Sequence, residues 1–241
     1  MPNHEVDELK NAARRRIWDL LDREGLVVGG SAHGHIPDFV GADAAAVRLS
    51  DLPAWKAARA IKAVPDKAQL PARARALREG KTVYMAVPKL AQQHPFYLLD
   101  PAGLAVPPEE AASSRTAATV ARNVGLDEVE PIDLIVCGSV AVNRHGARLG
   151  KGAGYSDIEV ALLHESGLIG PETPIVTTVH SLQVVDDELP ETEHDFRVDL
   201  IVTPDEVIPC GPPKRPTGLI WEHLSPDKIA AIPVLAARAP K

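Results

Sequence analysis

The chain has 241 residues, of which 45% are hydrophobic, and this composition is sufficient for a full hydrophobic core in a single domain over residues 1–241. The formal net charge of −7 excludes the overall basic field on which non-specific nucleic-acid binding depends, so no nucleic-acid partner is expected. Two cysteines are too few for a disulfide framework, and a charged N-terminus without a long apolar stretch predicts a cytoplasmic protein with no membrane partner.

The first predicted element is a helix from Val6 to Arg23, where apolar residues recur at helical spacing before Gly25. Residues 1–25 thus form an N-terminal basic helix, whose polar face carries Lys10, Arg14, Arg15 and Arg16. Because Lys10 and Arg14 lie one turn apart, they can converge on a single anion. A solvated basic face is the alternative interpretation.

The following hundred residues predict short elements separated by loops. A loop is predicted over residues 29–37, followed by helices from Leu52 to Lys62 and from Leu70 to Arg78, a strand from Thr82 to Val87 and a helix from Glu109 to Asn123. Between Ala91 and Pro108 the chain is rich in proline, which indicates a long loop. Long loops in compact domains are often functional.

Three later segments are short and dominated by apolar and β-branched residues, namely Leu134 to Cys137, Ile175 to Val179 and Val198 to Val202. Continuous hydrophobicity is typical of strands buried on both faces, so the pattern predicts an α/β fold with a mainly parallel sheet and helices on both faces. Residues 204–241 are rich in proline and predict a docked C-terminal strap. A brief helix in this strap begins where Ser225 can cap and Pro226 takes the first position.

A glycine-rich segment between a predicted strand and a predicted helix carries the clearest functional signal. Gly150, Gly152 and Gly154 leave backbone N–H groups free to face a phosphate, while Arg148 and Lys151 add charge and donors. In open α/β sheets, loops of this kind lie at the carboxyl ends of strands, where ligands bind. The spacing matches neither a Walker loop nor the dinucleotide-binding fingerprint, so a plain turn is the alternative.

An aspartate beside this segment suggests a metal ion. Ser156 and Glu159 have the spacing of a capping box, which predicts that the helix begins here and places Asp157 in its first turn. An acid at this point repels phosphate unless a cation lies between them, and Mg²⁺ is the usual cation. The alternative is an acid that complements the helix dipole.

Other polar residues lie at or near the predicted strand ends. Asp195 precedes the last strand and Asp199 enters it, and the alternative to a functional role is a solvated acidic loop with an arginine-paired aspartate. His180 directly follows the strand that ends at Val179. This position favours a hydrogen-bonding strand-end residue over a catalyst.

Three stretches together resemble the 5-formyltetrahydrofolate cyclo-ligase (methenyltetrahydrofolate synthetase) family in order and spacing: Asp133 to Val136, Asn143 to Asp157 and Asp195 to Asp199. The basic stretch from Lys10 to Arg14 is similar to the one that opens that family. The similarity is greatest to the divergent branch of methenyltetrahydrofolate synthetase domain-containing and cyclo-ligase-like proteins. Features of this branch occur along nearly the whole chain, at Arg16 to Trp18, His35 to Phe39, Gly138 to Val142, Val179 to His180 and Gly218 to Trp221.

The resemblance implies a Rossmann-like, three-layer α/β fold and an ATP- and Mg²⁺-dependent cyclo-ligase acting on a reduced folate. ATP would phosphorylate the formyl oxygen of 5-formyltetrahydrofolate, and ring closure would give 5,10-methenyltetrahydrofolate. By position, the implied ATP-binding residues are Lys10, Arg14, Arg148, Gly150, Lys151, Gly152, Ala153, Gly154 and Tyr155. Among them, the candidate catalytic residues are Arg148, Lys151 and Tyr155. The implied Mg²⁺ ligands are Asp157 and Asp195.

The sequence departs from the family pattern on the folate side. The family's paired tyrosines are replaced by Tyr155 and Ser156, its acidic element by Ser50 to Trp55, and its tryptophan-containing pterin segment has no counterpart between Ala91 and Val129. ATP binding is therefore better supported than folate chemistry. The alternatives are ATP-dependent chemistry on a non-folate heterocycle, for example in thiamine metabolism, and a non-catalytic binding module.

Overall fold

The computed structural model describes residues 3–240. Its helices are α1 (Asn3–Arg23), α2 (Ala42–Ser50), α3 (Pro53–Ala57), α4 (Leu70–Arg78), α5 (Pro108–Ala111), α6 (Ser114–Val120), α7 (Tyr155–Glu165), α8 (Pro226–Ala231) and α9 (Pro233–Ala236). Its strands are β1 (Ala60–Ala63), β2 (Thr82–Ala86), β3 (Phe96–Leu99), β4 (Arg122–Val124), β5 (Leu134–Cys137), β6 (Ala141–Asn143), β7 (Arg148–Leu149), β8 (Ile175–Thr178), β9 (Val184–Val185), β10 (Leu200–Val202) and β11 (Val207–Pro209). Among residues 3–240, none of the helices combines the length and apolar character that crossing a membrane requires.

A large sheet with the strand order β11-β10-β8-β5-β1-β2-β3-β4 organises the fold. Its five central strands, from β10 to β2, pair in parallel, with Ile61 of β1 in register with Leu134 of β5 and Val83 of β2. The remaining strands pair antiparallel at the two edges. A smaller sheet, β7-β6-β9, contains the hairpin formed by β6 and β7. The predicted mainly parallel sheet is therefore confirmed.

Helices cover both faces of the large sheet. Along β2, Val83 and Met85 face a core that includes residues of α1, α2 and α4, whereas Tyr84 and Ala86 face a second core that includes residues of α7 and α9. This alternation follows from the twofold periodicity of a strand, which directs successive side chains to opposite faces. The predicted three-layer α/β architecture is confirmed.

The predicted helix from Leu52 to Lys62 is wrong over its second half. Helix α3 ends at Ala57, and Ala60–Ala63 forms β1 at the centre of the sheet, between β2 and β5. Alanine and lysine favour helices locally, but pairing with two parallel neighbours outweighs a preference of less than about 1 kcal/mol per residue. As a result, Lys62 is buried within the sheet.

The predictions between residues 91 and 123 also need correction. The predicted long loop contains the strand β3, and the helix predicted from Glu109 to Asn123 is divided into α5 and α6 before the chain enters β4. The division occurs at Ser113, whose Oγ accepts a hydrogen bond from the N–H of Thr116 at 3.1 Å and caps α6. Serine at this position favours a break in the helix, because its side chain satisfies an N–H group at the start of a second helix.

In the C-terminal strap, the predicted short helix is observed as α8. The Ser225 Oγ accepts a hydrogen bond from the N–H of Lys228 at 3.2 Å, and Pro226 takes the first helical position. This cap fixes where α8 begins and places Lys228 on its exposed first turn, toward the glycine-rich segment.

Candidate functional site

The glycine-rich segment lies where the strand order of the sheet reverses. From β1 the chain continues to β2 on one side, whereas from β5 it continues to β8 on the other. We call residues 150–154, which follow the β6–β7 hairpin, the glycine loop. Lys151 in this loop reaches Asp66, which follows β1, with Nζ and Oδ1 3.2 Å apart. Ligands of open α/β sheets bind in the crevice at such a reversal.

The glycine loop ends at the N-terminus of α7 in a left-handed backbone conformation. Gly154 is the N-cap with φ of 70°, and Gly152 has φ of 102°. Both conformations favour glycine over any residue with a Cβ atom. The predicted capping box is wrong, because α7 begins at Tyr155 and the Glu159 carboxylate pairs with Lys62 in the core. Since glycine has no side chain with which to cap, the first N–H groups of α7 face the loop.

A polar cavity of about 250 Å³ lies between α1 and the glycine loop. Three cations line it: Lys10 and Arg14 from α1, and Arg148 from β7. Arg14 Nε donates a hydrogen bond to the carbonyl oxygen of Gly150 at 2.7 Å. Lys10 and Arg14 are buried while Arg15 and Arg16 are exposed, so the two residues predicted to converge are held in the protein and are not part of a solvated face.

Contacts within the protein orient the Arg148 side chain. Its Nε donates to Ser139 Oγ at 3.3 Å, its Nη2 donates to the carbonyl oxygen of Gly138 at 3.2 Å, and its guanidinium carbon lies 4.7 Å from the centre of the Phe196 ring. A Cβ added to Gly150 would lie 2.7 Å from Arg148 Nη2, so a side chain at this position would displace the guanidinium. The arrangement presents a fixed fork of donors, which suits an anion such as phosphate.

Two of the acids in the polar cavity differ in how well their oxygens are satisfied. Asp195 Oδ2 accepts hydrogen bonds from Lys10 Nζ at 2.6 Å and from Thr192 Oγ1 at 2.8 Å. Burial would raise the pKa of Asp195, but the hydrogen bond and charge of Lys10 outweigh it, and the pKa lies below its usual value. Asp157 Oδ1 is 3.6 Å from Arg148 Nη1 and, within residues 3–240, is buried without a hydrogen-bond partner. Burial raises the pKa of Asp157, although the charge of Arg148 opposes this.

A second cavity, of about 440 Å³, adjoins the polar cavity, and both are lined by Asp7, Gly152, Gly154, Asp157 and His194. Its other wall comes from the C-terminal strap and combines apolar side chains, such as Leu219 and Ile220, with the polar side chains of His223 and Lys228. Sequence reasoning did not identify Asp7, His194 or the strap residues as part of a site. The stretch from Gly218 to Trp221 carried a signal, because it resembles the divergent branch of the family, but no local pattern indicates that it lies beside the glycine loop.

Two predicted catalytic residues do not line the polar cavity. Lys151 instead lines a third cavity of about 420 Å³, together with Asp66 and His35. Tyr155 is covered by Lys228 of α8, whose Nζ lies 3.9 Å from the ring centre and donates a hydrogen bond to the carbonyl oxygen of Ala153. The structure therefore brings together Lys10, Arg14, Arg148, Gly150, Gly152, Gly154, Asp157 and Asp195, and separates Lys151 and Tyr155 from them.

The remaining polar candidates have structural partners. Asp199 pairs with Arg215 and accepts a hydrogen bond from the N–H of Ile175 at 2.7 Å, which confirms the arginine-paired alternative. His180 directly follows β8 and its Nδ1 accepts a hydrogen bond from the N–H of Leu182 at 3.1 Å. This confirms that His180 is a hydrogen-bonding strand-end residue.

Known proteins resemble this chain in sequence and in fold. Residues 7–204 match the sequence model of the 5-formyltetrahydrofolate cyclo-ligase family. Methenyltetrahydrofolate synthase domain-containing proteins of Mus musculus and Homo sapiens are 39% and 35% identical to the chain, and each match covers 94% of the chain and 62% or 60% of the relative. The chain thus spans about three fifths of the length of these curated relatives. The NMR structure of Aquifex aeolicus 5,10-methenyltetrahydrofolate synthetase shares the fold, with a TM-score of 0.53 at 23% identity over 85% of this chain and 92% of that one.

Proposed function

The chain belongs to the 5-formyltetrahydrofolate cyclo-ligase family, and we propose that it is an ATP- and Mg²⁺-dependent enzyme that converts 5-formyltetrahydrofolate to 5,10-methenyltetrahydrofolate. The observation that carries the proposal is the meeting of Lys10, Arg14 and Arg148 beside a glycine loop, with the unsatisfied Asp157 oxygen among them. Lys10 and Arg14 come from α1, which lies far in sequence from the other groups, since Arg14 and Gly150 are 136 residues apart. Such convergence favours a binding site over a plain turn.

The proposed reaction needs positioning and charge neutralisation more than acid–base catalysis. The formyl oxygen attacks the γ-phosphorus of ATP, and the bond to the β-phosphate oxygen breaks to release ADP. The neighbouring nitrogen then attacks the activated formyl carbon and loses its proton to solvent, and the carbon–oxygen bond breaks to release phosphate. In this scheme Arg14 and Arg148 hold the phosphate oxygens and the glycine loop donates backbone N–H groups.

The residues of the polar cavity fit a magnesium ion bound together with ATP. Within residues 3–240, no three His, Cys, Asp or Glu side chains meet as a group that could hold a metal. Mg²⁺ commonly uses one or two carboxylates plus phosphate oxygens, so such a group is not required. Among the described residues, Asp157 Oδ1 accepts no hydrogen bond and can serve as a ligand, whereas Asp195 Oδ2 accepts a hydrogen bond from Lys10. Bound Mg²⁺ would neutralise negative charge on the phosphates.

The decisive experiment combines the purified chain with 5-formyltetrahydrofolate and Mg·ATP and follows the near-ultraviolet absorbance of the methenyl product. We expect product formation that requires both ATP and Mg²⁺. Absence of product at high enzyme concentration would remove the proposed activity. If ATP still binds in that case and a non-folate heterocycle stimulates its hydrolysis, the alternative substrate class is selected instead.

Replacing Asp157 with asparagine should reduce the advantage of Mg·ATP over metal-free ATP by about tenfold, or about 1.4 kcal/mol. The carboxylate repels metal-free ATP and helps only through the metal, so metal-free ATP should bind as well as before or better. Isothermal titration calorimetry of ATP with and without Mg²⁺ measures both affinities.

The matched control for this prediction is Asp43→Asn, because Asp43 is an exposed acid in the first turn of another helix, α2. An acid that only complements a helix dipole contributes at most about 1 kcal/mol to stability and leaves metal dependence untouched. If Asp157→Asn behaves like Asp43→Asn, Asp157 is not a magnesium ligand.

A further inference from the structure

One wall of the second cavity comes from a segment outside the part of the chain that matches the family model. The match ends at residue 204, whereas residues 218–228 of the C-terminal strap line the cavity. The alignments with the curated relatives cover 94% of the chain, which is more than residues 1–204 contain, so they include part of the strap. The wall therefore lies outside the match to the family model but within the match to the curated relatives.

The wall is docked firmly on α7. The N–H of Leu219 donates a hydrogen bond to Glu165 Oε1 at 3.0 Å, and the His223 ring lies 5.9 Å from that of His194 in an edge-on arrangement. Lys228 attaches the far end of the segment to the glycine loop through the carbonyl oxygen of Ala153. The segment thus contacts both the C-terminal end of α7 and the glycine loop that precedes α7.

The cavity behind this wall has the chemistry of a nucleoside site. Its apolar lining comes from Leu219, Ile220 and Leu224 on the strap and from Ile158 and Ala161 on α7. Flat, largely apolar groups with a few polar edges suit such a cleft. Because the cavity shares five lining residues with the polar cavity, a ligand whose phosphates occupy the polar cavity can extend into it.

The third cavity is a weaker candidate for the nucleoside. It lies on the other side of the glycine loop, where Lys151 and Asp66 line it. None of its lining residues also lines the polar cavity. A single ligand would therefore have to cross the loop to occupy both.

We propose that residues 218–228 form the nucleoside-binding wall of the ATP site, so that the base and ribose of ATP are held by the C-terminal strap while the glycine loop holds the phosphates. The inference rests on the proposed ATP dependence and assigns a role to a segment outside the match to the family model. It predicts that a substitution in this wall weakens the binding of ATP but not the binding of a phosphate chain without a nucleoside.

Ile220 is suited to the test because it lines the cavity and is only half-buried. Ile220→Ala should weaken Mg·ATP binding about fivefold to tenfold, the effect of losing part of an aliphatic contact, and should leave inorganic tripolyphosphate binding within about twofold. Ile220→Trp, which fills the cleft, should also weaken ATP and spare tripolyphosphate. Arg14→Met should weaken both ligands, and Val47→Ala on the exposed face of α2 should affect neither. Titration calorimetry gives the affinities, and thermal unfolding checks that each variant is folded.

Selective loss of ATP binding in the folded Ile220 variants supports the inference. Unchanged ATP binding in both, or equal loss of ATP and tripolyphosphate, overturns it. If the wild-type chain binds neither ligand, the proposed ATP dependence fails and the inference fails with it. A further outcome is that the wild type binds ATP and the Ile220 variants lose ATP binding but keep tripolyphosphate binding, yet no methenyl product forms. That outcome contradicts the proposed folate chemistry and supports the nucleoside-binding wall.

Discussion

Replacing Lys62 with methionine is expected to lower the free energy of unfolding by about 3–5 kcal/mol, because it leaves the Glu159 carboxylate buried without its partner. The two side chains form a hydrogen-bonded ion pair and are 1% and 5% exposed. Glu159 lies two residues beyond Asp157 on α7, so the pair also holds the start of that helix against β1. Urea unfolding of the folded chain measures the loss.

The pH dependence of this loss has a definite sign. Burial raises the pKa of Glu159, and the charge and hydrogen bond of Lys62 oppose this in the wild type. Without Lys62 the folded-state pKa rises further above the unfolded value, and the folded state then binds the proton more tightly. The stability of Lys62→Met should therefore increase as the pH falls from above the raised folded-state pKa toward the ordinary value for glutamate.

Removing both charges should be far less harmful than removing one. Lys62→Met combined with Glu159→Leu eliminates the unpaired buried charge and should recover most of the stability. The matched exposed pair is Arg78 and Glu109, 3.3 Å apart and about half exposed, where Arg78→Met should cost less than about 1 kcal/mol. A Lys62→Met variant no less stable than Arg78→Met would show that the buried pair does not hold β1 and α7 together.

Replacing Arg148 with methionine is expected to weaken Mg·ATP binding by about 1.5–3 kcal/mol, or about 10–150-fold, the range for a hydrogen bond to a charged group. The guanidinium is already oriented by Ser139, Gly138 and Phe196, so it binds phosphate without first losing side-chain freedom. Arg148→Lys should not restore the affinity, because an ammonium group lacks the planar fork of donors. Titration calorimetry measures the change.

Arg144→Met is the matched control, because Arg144 lies in the turn of the same hairpin and its side chain is 54% exposed. ATP binding should be unchanged in this variant. Arg148 is buried, so thermal unfolding must first show that Arg148→Met is folded. If the folded Arg148→Met variant binds ATP as tightly as Arg144→Met, Arg148 serves only as the counter-ion of Asp157.

The parts of the fold that the sequence predicts are those whose environment leaves a local pattern. The segment β5 is apolar throughout and β8 consists of β-branched residues, as is typical of strands with both faces buried, and this pattern needs no knowledge of their neighbours. The α1 helix is evident from its periodicity, and α8 from its serine cap and first-position proline. The strand β1 lacks such a pattern, because Lys62 interrupts its apolar run and its pairing partners lie 20 and more residues away.

The candidate site likewise has parts that the sequence predicts and parts that it does not. The sequence alone determined which residues were candidates: the glycine loop, the basic pair of α1 and Asp157. The signals were the alternate glycines, the flanking cations and the family resemblance that they carry. Only the tertiary structure decided how the charges are paired. It pairs Lys10 with Asp195 and Glu159 with Lys62, and among the described residues it leaves Asp157 Oδ1 without a hydrogen-bond partner. It also decided that the C-terminal strap forms a wall of the site. The physical reason is that a side chain's partner is set by which elements pack together, and contacts across 97 or 185 residues leave no periodic trace in the sequence.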